Sequence, residues 1–196
     1  MKKFIVLIAL SLAFVGQVFA QTATVPSVNS LDNRAQSYRA AIIDISTAAS
    51  ATDIFRITGS ASKTIYIKRI SVSGTQTTAG NIAVSLYKRS TANSDGTTTA
   101  ITEHPMDSGF GAATAVSTGI TANQTVGTGV VIGARRMAWL TTGTAVDSQP
   151  ATWVFGDWGP NSFVVLRGVA QALTVNLNAT TITGGKATVE VEWMEK

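Results

Sequence analysis

Along most of this chain apolar residues recur at every second position, a period that fits a pleated strand with one buried face and does not fit a helix. The C-terminus is the plainest case. Ala187, Val189, Val191 and Trp193 alternate with Thr188, Glu190, Glu192 and Met194, so one face is apolar and the other carries charge. Leu173, Val175 and Leu177 alternate with Thr174, Asn176 and Asn178, and Ile82, Val84 and Leu86 alternate with Ala83, Ser85 and Tyr87. Between 65 and 72 the apolar set runs Ile65, Ile67, Ile70, Val72, and the slip of phase at Lys68-Arg69 predicts a β-bulge. Further strands are expected over 40–46, 54–58, 113–121, 130–140, 151–155 and 163–167, about ten in all.

Between these runs lie turn signals at Gly59-Ser60, 74–80, 93–96, 109–111, Thr142-Gly143, 156–160 and Gly184-Gly185. The best helical stretch after the N-terminus is 30–39, whose weak apolar face supports a turn or two at most. The expected fold is therefore all-β: an antiparallel β-sandwich or jelly roll of about ten strands following an N-terminal signal helix. No fixed internal period is visible, which disfavours a solenoid or propeller.

The N-terminus reads as a bacterial-type export signal. Lys2 and Lys3 form its basic end, residues 4–15 its apolar run, and Val18-Phe19-Ala20 a small-residue cleavage site before Gln21. The expected organisation is a signal peptide over 1–20, an N-terminal extension over 21–39 and a β-sandwich domain over 40–196. The expected location is secreted, periplasmic or cell-surface. No later stretch approaches the roughly 20 apolar residues of a spanning helix, so no membrane span is expected after signal removal. Without the leader the chain carries 13 basic residues (15 less Lys2 and Lys3) against 11 acidic, a net of +2. Its basic residues are scattered as Lys68-Arg69, Lys88-Arg89 and Arg135-Arg136, not massed as phosphate binding requires, so nucleic acid is not an expected partner.

The chain has no cysteine and one histidine. Disulfides, thiolate chemistry and thiolate zinc sites are thereby excluded. His104 is followed by Asp107 and Ser108, but triad members converge from separately positioned elements, and one Pro-containing loop does not supply that. Glu190 and Glu192 stand about 7 Å apart on one strand face, within the range of glycosidase pairs. Alternation alone accounts for them as solvated charges guarding a sheet edge or surface. Asn93, Asp95 and Gly96 match the first half of a calcium loop, but residues 99–102 hold no carboxylate, so a turn is expected. Gly127-Thr128-Gly129 lacks the Lys-Ser/Thr of a phosphate loop. No catalytic residue, metal or cofactor is expected.

Two long loops are expected, at 90–111 and 147–161. The first, with Asn93, Asp95 and His104, is a candidate contact surface. The second carries Trp153 and Phe155, which share strand parity and should be core, and Trp158, which Asp157 and Gly159-Pro160 bracket and which should be exposed. Trp139 is expected in the core. Candidate contact residues are thus Trp158, Asp157, Asn93, Asp95 and His104, with Trp158 the best platform for stacking a sugar ring.

Four runs carry a resemblance: Leu86-Tyr87-Lys88-Arg89-Ser90-Thr91-Ala92-Asn93, His104-Pro105-Met106-Asp107-Ser108, Val164-Val165-Leu166-Arg167-Gly168-Val169-Ala170-Gln171 and Val191-Glu192-Trp193-Met194-Glu195. Together they resemble a group of small β-rich proteins of tailed phages and related environmental sequences, mostly without assigned function. The resemblance spans roughly 52–195 and implies a virion-associated jelly-roll protein, such as a capsid decoration or fibre component. It transfers no functional residue. The export leader departs from it, since capsid proteins assembled in the cytoplasm need none, and this keeps an exported surface role beside the virion one. The expectation is a non-enzymatic structural or interaction protein that forms homo-oligomers or joins other surface or virion proteins. The alternative is a secreted carbohydrate-binding or adhesin module with a glycan partner.

Overall fold

The structure, a computed structural model, describes residues 35–46, 53–94, 96–122, 124–141, 149–178, 180, 182 and 184–196. The expected leader and most of the expected extension lie outside the described residues. Twelve strands follow in chain order: β1 (Gln36–Ser46), β2 (Asp53–Thr58), β3 (Ile65–Gln76), β4 (Gly80–Arg89), β5 (Thr98–Ala100), β6 (His104–Pro105), β7 (Val116–Ile120), β8 (Gly129–Thr141), β9 (Ala151–Val154), β10 (Val164–Leu166), β11 (Ala172–Asn176) and β12 (Lys186–Glu195). A single 3-10 turn, Pro160–Ser162, is the one helical element among the described residues. The chain is all-β.

The strands form two layers. One runs β5-β7-β2-β11-β4-β8. In the other, β12, β1 and β6 lie in order on one side of β3, and the opposite side of β3 is bordered in turn by β10, β9 and the end of β8. Strand β8 joins the layers: it pairs with β4 from Gly129 to Trp139, then places Leu140 and Thr141 beside Thr75 and Gln76 of β3. That last contact is parallel, whereas the other ten strand pairings among the described residues are antiparallel. The sheet is therefore mixed and not purely antiparallel as expected: β8, antiparallel to β4, reaches past it at the corner between the layers and meets the end of β3 running in the same direction.

Inward-facing residues of both layers meet in one apolar cluster, including Ile67, Ile70, Val72, Val189, Val191 and Trp193 from one and Phe55, Ile57, Val84, Leu86, Leu173 and Val175 from the other. Trp139 and Trp193 are completely enclosed, and Trp153 is buried, as expected for core residues. Phe155 lies at the margin, partly buried. Room for Trp139 is made by Gly74: a Cβ there would stand 2.6 Å from the indole Cζ2, too close for any side chain. Tyr38 stacks on Trp193 with ring centroids 5.8 Å apart.

The bulge is found at Lys68. Arg69 pairs with Glu192 and Ile67 with Trp193, leaving Lys68 unmatched. On its other side the same residue falls between β10 and β9, and its carbonyl accepts a 2.7 Å bond from the Phe155 amide.

Three segments differ from the sequence reading. Residues 36–39, expected in a loose helical turn, belong to β1, because Tyr38 and Ala40 bury on one face against β12. The loop expected at 90–111 contains β5 and β6, two short edge strands; the threonines of β5 suit a pleated edge, and Pro105 is tolerated in β6 because a proline fits only at a sheet border. Strand β7 starts at Val116, not at 113, since the amides of Thr114 and Ala115 are drawn to a buried carboxylate and are lost to the ladder.

Candidate interaction surfaces

The two carboxylates that this fold buries among the described residues, Asp53 and Glu195, are each held by several donors. Asp53 opens β2 and is wholly enclosed. Its Oδ1 accepts from Arg89 Nη2 at 2.7 Å and Asn176 Nδ2 at 2.7 Å, and its Oδ2 from Arg89 Nε at 3.2 Å and Asn93 Nδ2 at 2.7 Å. Arg89 lies over the Tyr87 ring at 4.3 Å and donates to the Gly127 carbonyl at 3.0 Å. Asn93, 8% exposed, also donates to Gln124 and accepts from the Gly127 amide. These bonds pin the segments around 90–94 and 124–129 over the ends of β2, β4 and β11. An ion pair so enclosed is bearable because each carboxylate oxygen of Asp53 accepts two bonds and each guanidinium nitrogen of Arg89 donates one. Asn93 is thus a structural residue whose amide is fully engaged, while Asp95 lies outside the described residues.

The second buried carboxylate is Glu195, at the end of β12. It accepts from the Thr114 amide at 2.9 Å, the Thr114 hydroxyl at 2.7 Å, the Ala115 amide at 3.0 Å and the Trp193 indole at 3.1 Å, with Lys63 Nζ 3.6 Å away. Burial pushes its carboxyl up, but the donors from Ala115, Thr114 and Trp193 outweigh that and hold it below its ordinary value. Nearby, the single hydroxyl proton of Tyr38 is shared between Gln36 Oε1 at 2.8 Å and the Gly111 carbonyl at 3.1 Å; burial, and then the charge of Glu195, push its hydroxyl up.

The half-buried carboxylates of β12 are paired with cations. Glu190 meets Arg39 at 2.6 Å and Arg69 at 3.9 Å, and Glu192 meets Lys68 at 2.6 Å, so the outer face of β1, β12 and β3 carries a ladder of alternating charge. His104 is exposed on β6, opposite Arg39, and Ser108 lies in the exposed turn after it. Among the described residues no group of three His, Asp or Glu side chains is placed to hold a metal ion, and no helix is long and apolar enough to cross a membrane.

What the surface does offer is apolar. Trp158 is 95% exposed, beside exposed Asp157. Its loop is braced from within: Gly159 N donates to the Gly156 carbonyl at 3.2 Å, Ser162 N to the Gly159 carbonyl at 3.1 Å, and Gly156 N to the Ser162 carbonyl at 3.3 Å. Gly156, at φ 90°, leaves room for the Phe163 ring, which a Cβ would approach to 2.2 Å. The indole therefore projects from a loop whose backbone is hydrogen-bonded to itself.

A second apolar feature, a run of three consecutive exposed residues, was not singled out by the sequence. On β8, Val130 is 63% and Val131 51% exposed, with Ile132 beside them. Among the described residues nothing pairs with the outer side of β8 from Gly129 to Trp139. The signal was available: alternation holds at Met137 and Trp139, which bury, but fails through Val130-Val131-Ile132-Gly133-Ala134, where both faces are apolar. Comparison with protein-family models, curated proteins and solved structures finds no match for this chain.

Proposed function

We propose that this is a non-enzymatic structural or interaction protein: a virion-associated decoration or fibre-type component, or a surface-displayed jelly roll, exported after cleavage at Ala20 and acting through loop and edge contacts as a homo-oligomer. The jelly-roll reading draws support from strand order. The main strands of one layer run β1-β12-β3 and then β9 and β10, those of the other β2-β11-β4-β8, which is the interleaving of two Greek keys, with β5 to β7 as an insertion between the fourth and fifth strands. The functional reading is carried by one observation: three consecutive large apolar residues, Val130, Val131 and Ile132, stand exposed on a strand edge that is unpaired among the described residues, a liability that proteins acting alone blunt with charge or cover.

The test is light scattering behind size-exclusion chromatography, on protein expressed with its own leader, across a concentration series. A defined oligomer at micromolar concentration agrees with the proposal, and a monomer throughout refutes it. A second reading, a secreted glycan-binding or adhesin module, is favoured by the almost fully exposed Trp158 on its hydrogen-bonded loop. It requires retention on a glycan array that Trp158→Ala abolishes.

A further inference from the structure

One polar feature stands beside the two apolar ones. The outer face of β1, β12 and β3 carries long charged side chains at Arg39, Glu190 and Arg69, but further along it is floored by small ones: Ser73 lies opposite Thr188, and Thr75 opposite Lys186. The step in height leaves a pocket of about 390 Å³, walled among the described residues by Asp44 on the β1 side and Pro150 on the β9 side, with Lys186 beside it. Asp44 reaches this pocket because β1 bulges: Ile42 pairs with Val189 and Ile45 with Ala187, so Ile43 and Asp44 together oppose Thr188. It is held there at φ 58°, a left-handed conformation costly to most side chains. Among the described residues its carboxylate pairs with no cation.

The lining selects the class of ligand. Lys186 Nζ gives one proton to Ser46 Oγ at 2.6 Å and keeps two to donate, while the hydroxyls of Ser73 and Thr188 can each donate or accept. The charges of Asp44 and Lys186 cancel, so neither a phosphate nor a carboxylate is favoured, and an apolar ligand would strand the polar groups it covers. What fits is an uncharged polyhydroxylated ring: its hydroxyls donate to Asp44 and accept from Lys186, and its C–H face lies against Pro150. From Pro150 the four residues of β9 lead about 13 Å toward the loop of Trp158, with Thr152, bonded to Ser71, and exposed Val154 on the outer face between. Resting on the glycan-binding reading above, we infer that this pocket is a second sugar subsite, so that Trp158 and Asp44 hold different rings of one uncharged linear oligosaccharide.

The probes are three uncharged tetrasaccharides, built from β-glucose, β-mannose and N-acetylglucosamine, titrated into protein expressed with its own leader. Amide chemical shifts locate binding and calorimetry measures it. With at least one probe, saturable shifts are expected at Asp44, Ser73 and Thr188. Asp44→Gly suits the positive φ and removes the carboxylate, so it should fold as before by circular dichroism and raise Kd about tenfold. Thr188→Val, which keeps the shape of the strand and removes one hydroxyl, should raise Kd as well. Trp158→Ala should abolish binding from the other end. If a tetrasaccharide binds and Trp158→Ala abolishes it, while Asp44→Gly and Thr188→Val change nothing and the pocket amides do not shift, the glycan reading stands and the pocket inference falls. If none of the three binds, both fall.

Discussion

Glu195→Gln removes one charge and almost no volume from the enclosed end of β12. Four donor groups converge on the native carboxylate: the amides of Thr114 and Ala115, the Thr114 hydroxyl and the Trp193 indole. A carboxamide offers one acceptor oxygen and turns an NH2 group toward them, so at least one buried N–H loses its partner and the remaining bonds lose their charge assistance. Hydrogen bonds to charged groups contribute about 1.5–3 kcal/mol and a stranded donor costs about 1–3 kcal/mol, so a loss near 3 kcal/mol is expected at pH 7. For a chain of this size that is a fall in Tm of roughly 6–12 °C.

The pH dependence has a definite sign. The folded carboxyl titrates below its ordinary value of 4.5, so its contribution is complete above that value and is lost as pH falls through the lower, folded one. Glutamine has no such transition. The gap in Tm between the two proteins should be widest at neutral pH and should narrow as the pH drops below the ordinary carboxylate range. Melting followed by circular dichroism from pH 7 to pH 3 measures it. Equal Tm at pH 7, or a gap that does not change with pH, would refute the reasoning.

Asp53→Ala leaves Arg89, Asn93 and Asn176 without their shared acceptor and should cost about 3–5 kcal/mol in urea unfolding, the penalty of an uncompensated buried charge. Gly74→Ala places a methyl group against the Trp139 ring and should destabilise by about 1–3 kcal/mol, with a change in tryptophan emission. Trp158→Ala should leave stability within about 0.5 kcal/mol, because the indole is almost wholly in solvent, while removing most of the iodide-quenchable fluorescence.

Strand positions were legible in the sequence where a strand buries one face of a sheet, as β3, β12 and most of β4 do, because period two follows from that burial. The Lys68 bulge was legible for the same reason, since an extra residue shifts the phase of Ile65, Ile67, Ile70 and Val72. Strands β5 and β6 were not: their residues are mostly exposed, so no alternation marks them. The links from Asp53 to Arg89 and from Glu195 to Thr114 were hidden as well. They join residues 36 and 81 positions apart, and local patterning carries no information about which distant loop supplies donors to a carboxylate. Among the candidate contact residues, the exposure of Trp158 was readable from the turn of Asp157 and Gly159-Pro160 that brackets it. Asn93 resembled an exposed turn residue because asparagine favours turns, while its burial depends on where Asp53 and Gln124 come to lie.

Residue-resolved amide hydrogen exchange, at concentrations well below and well above the onset of association, addresses the free β8 edge most directly. In the concentrated protein, alternate amides between Val130 and Ala138 should slow markedly, while those of β4, already paired, and of the exposed β5 should not change. Exchange along β8 that is indifferent to concentration, in a protein that nonetheless associates, would contradict the account.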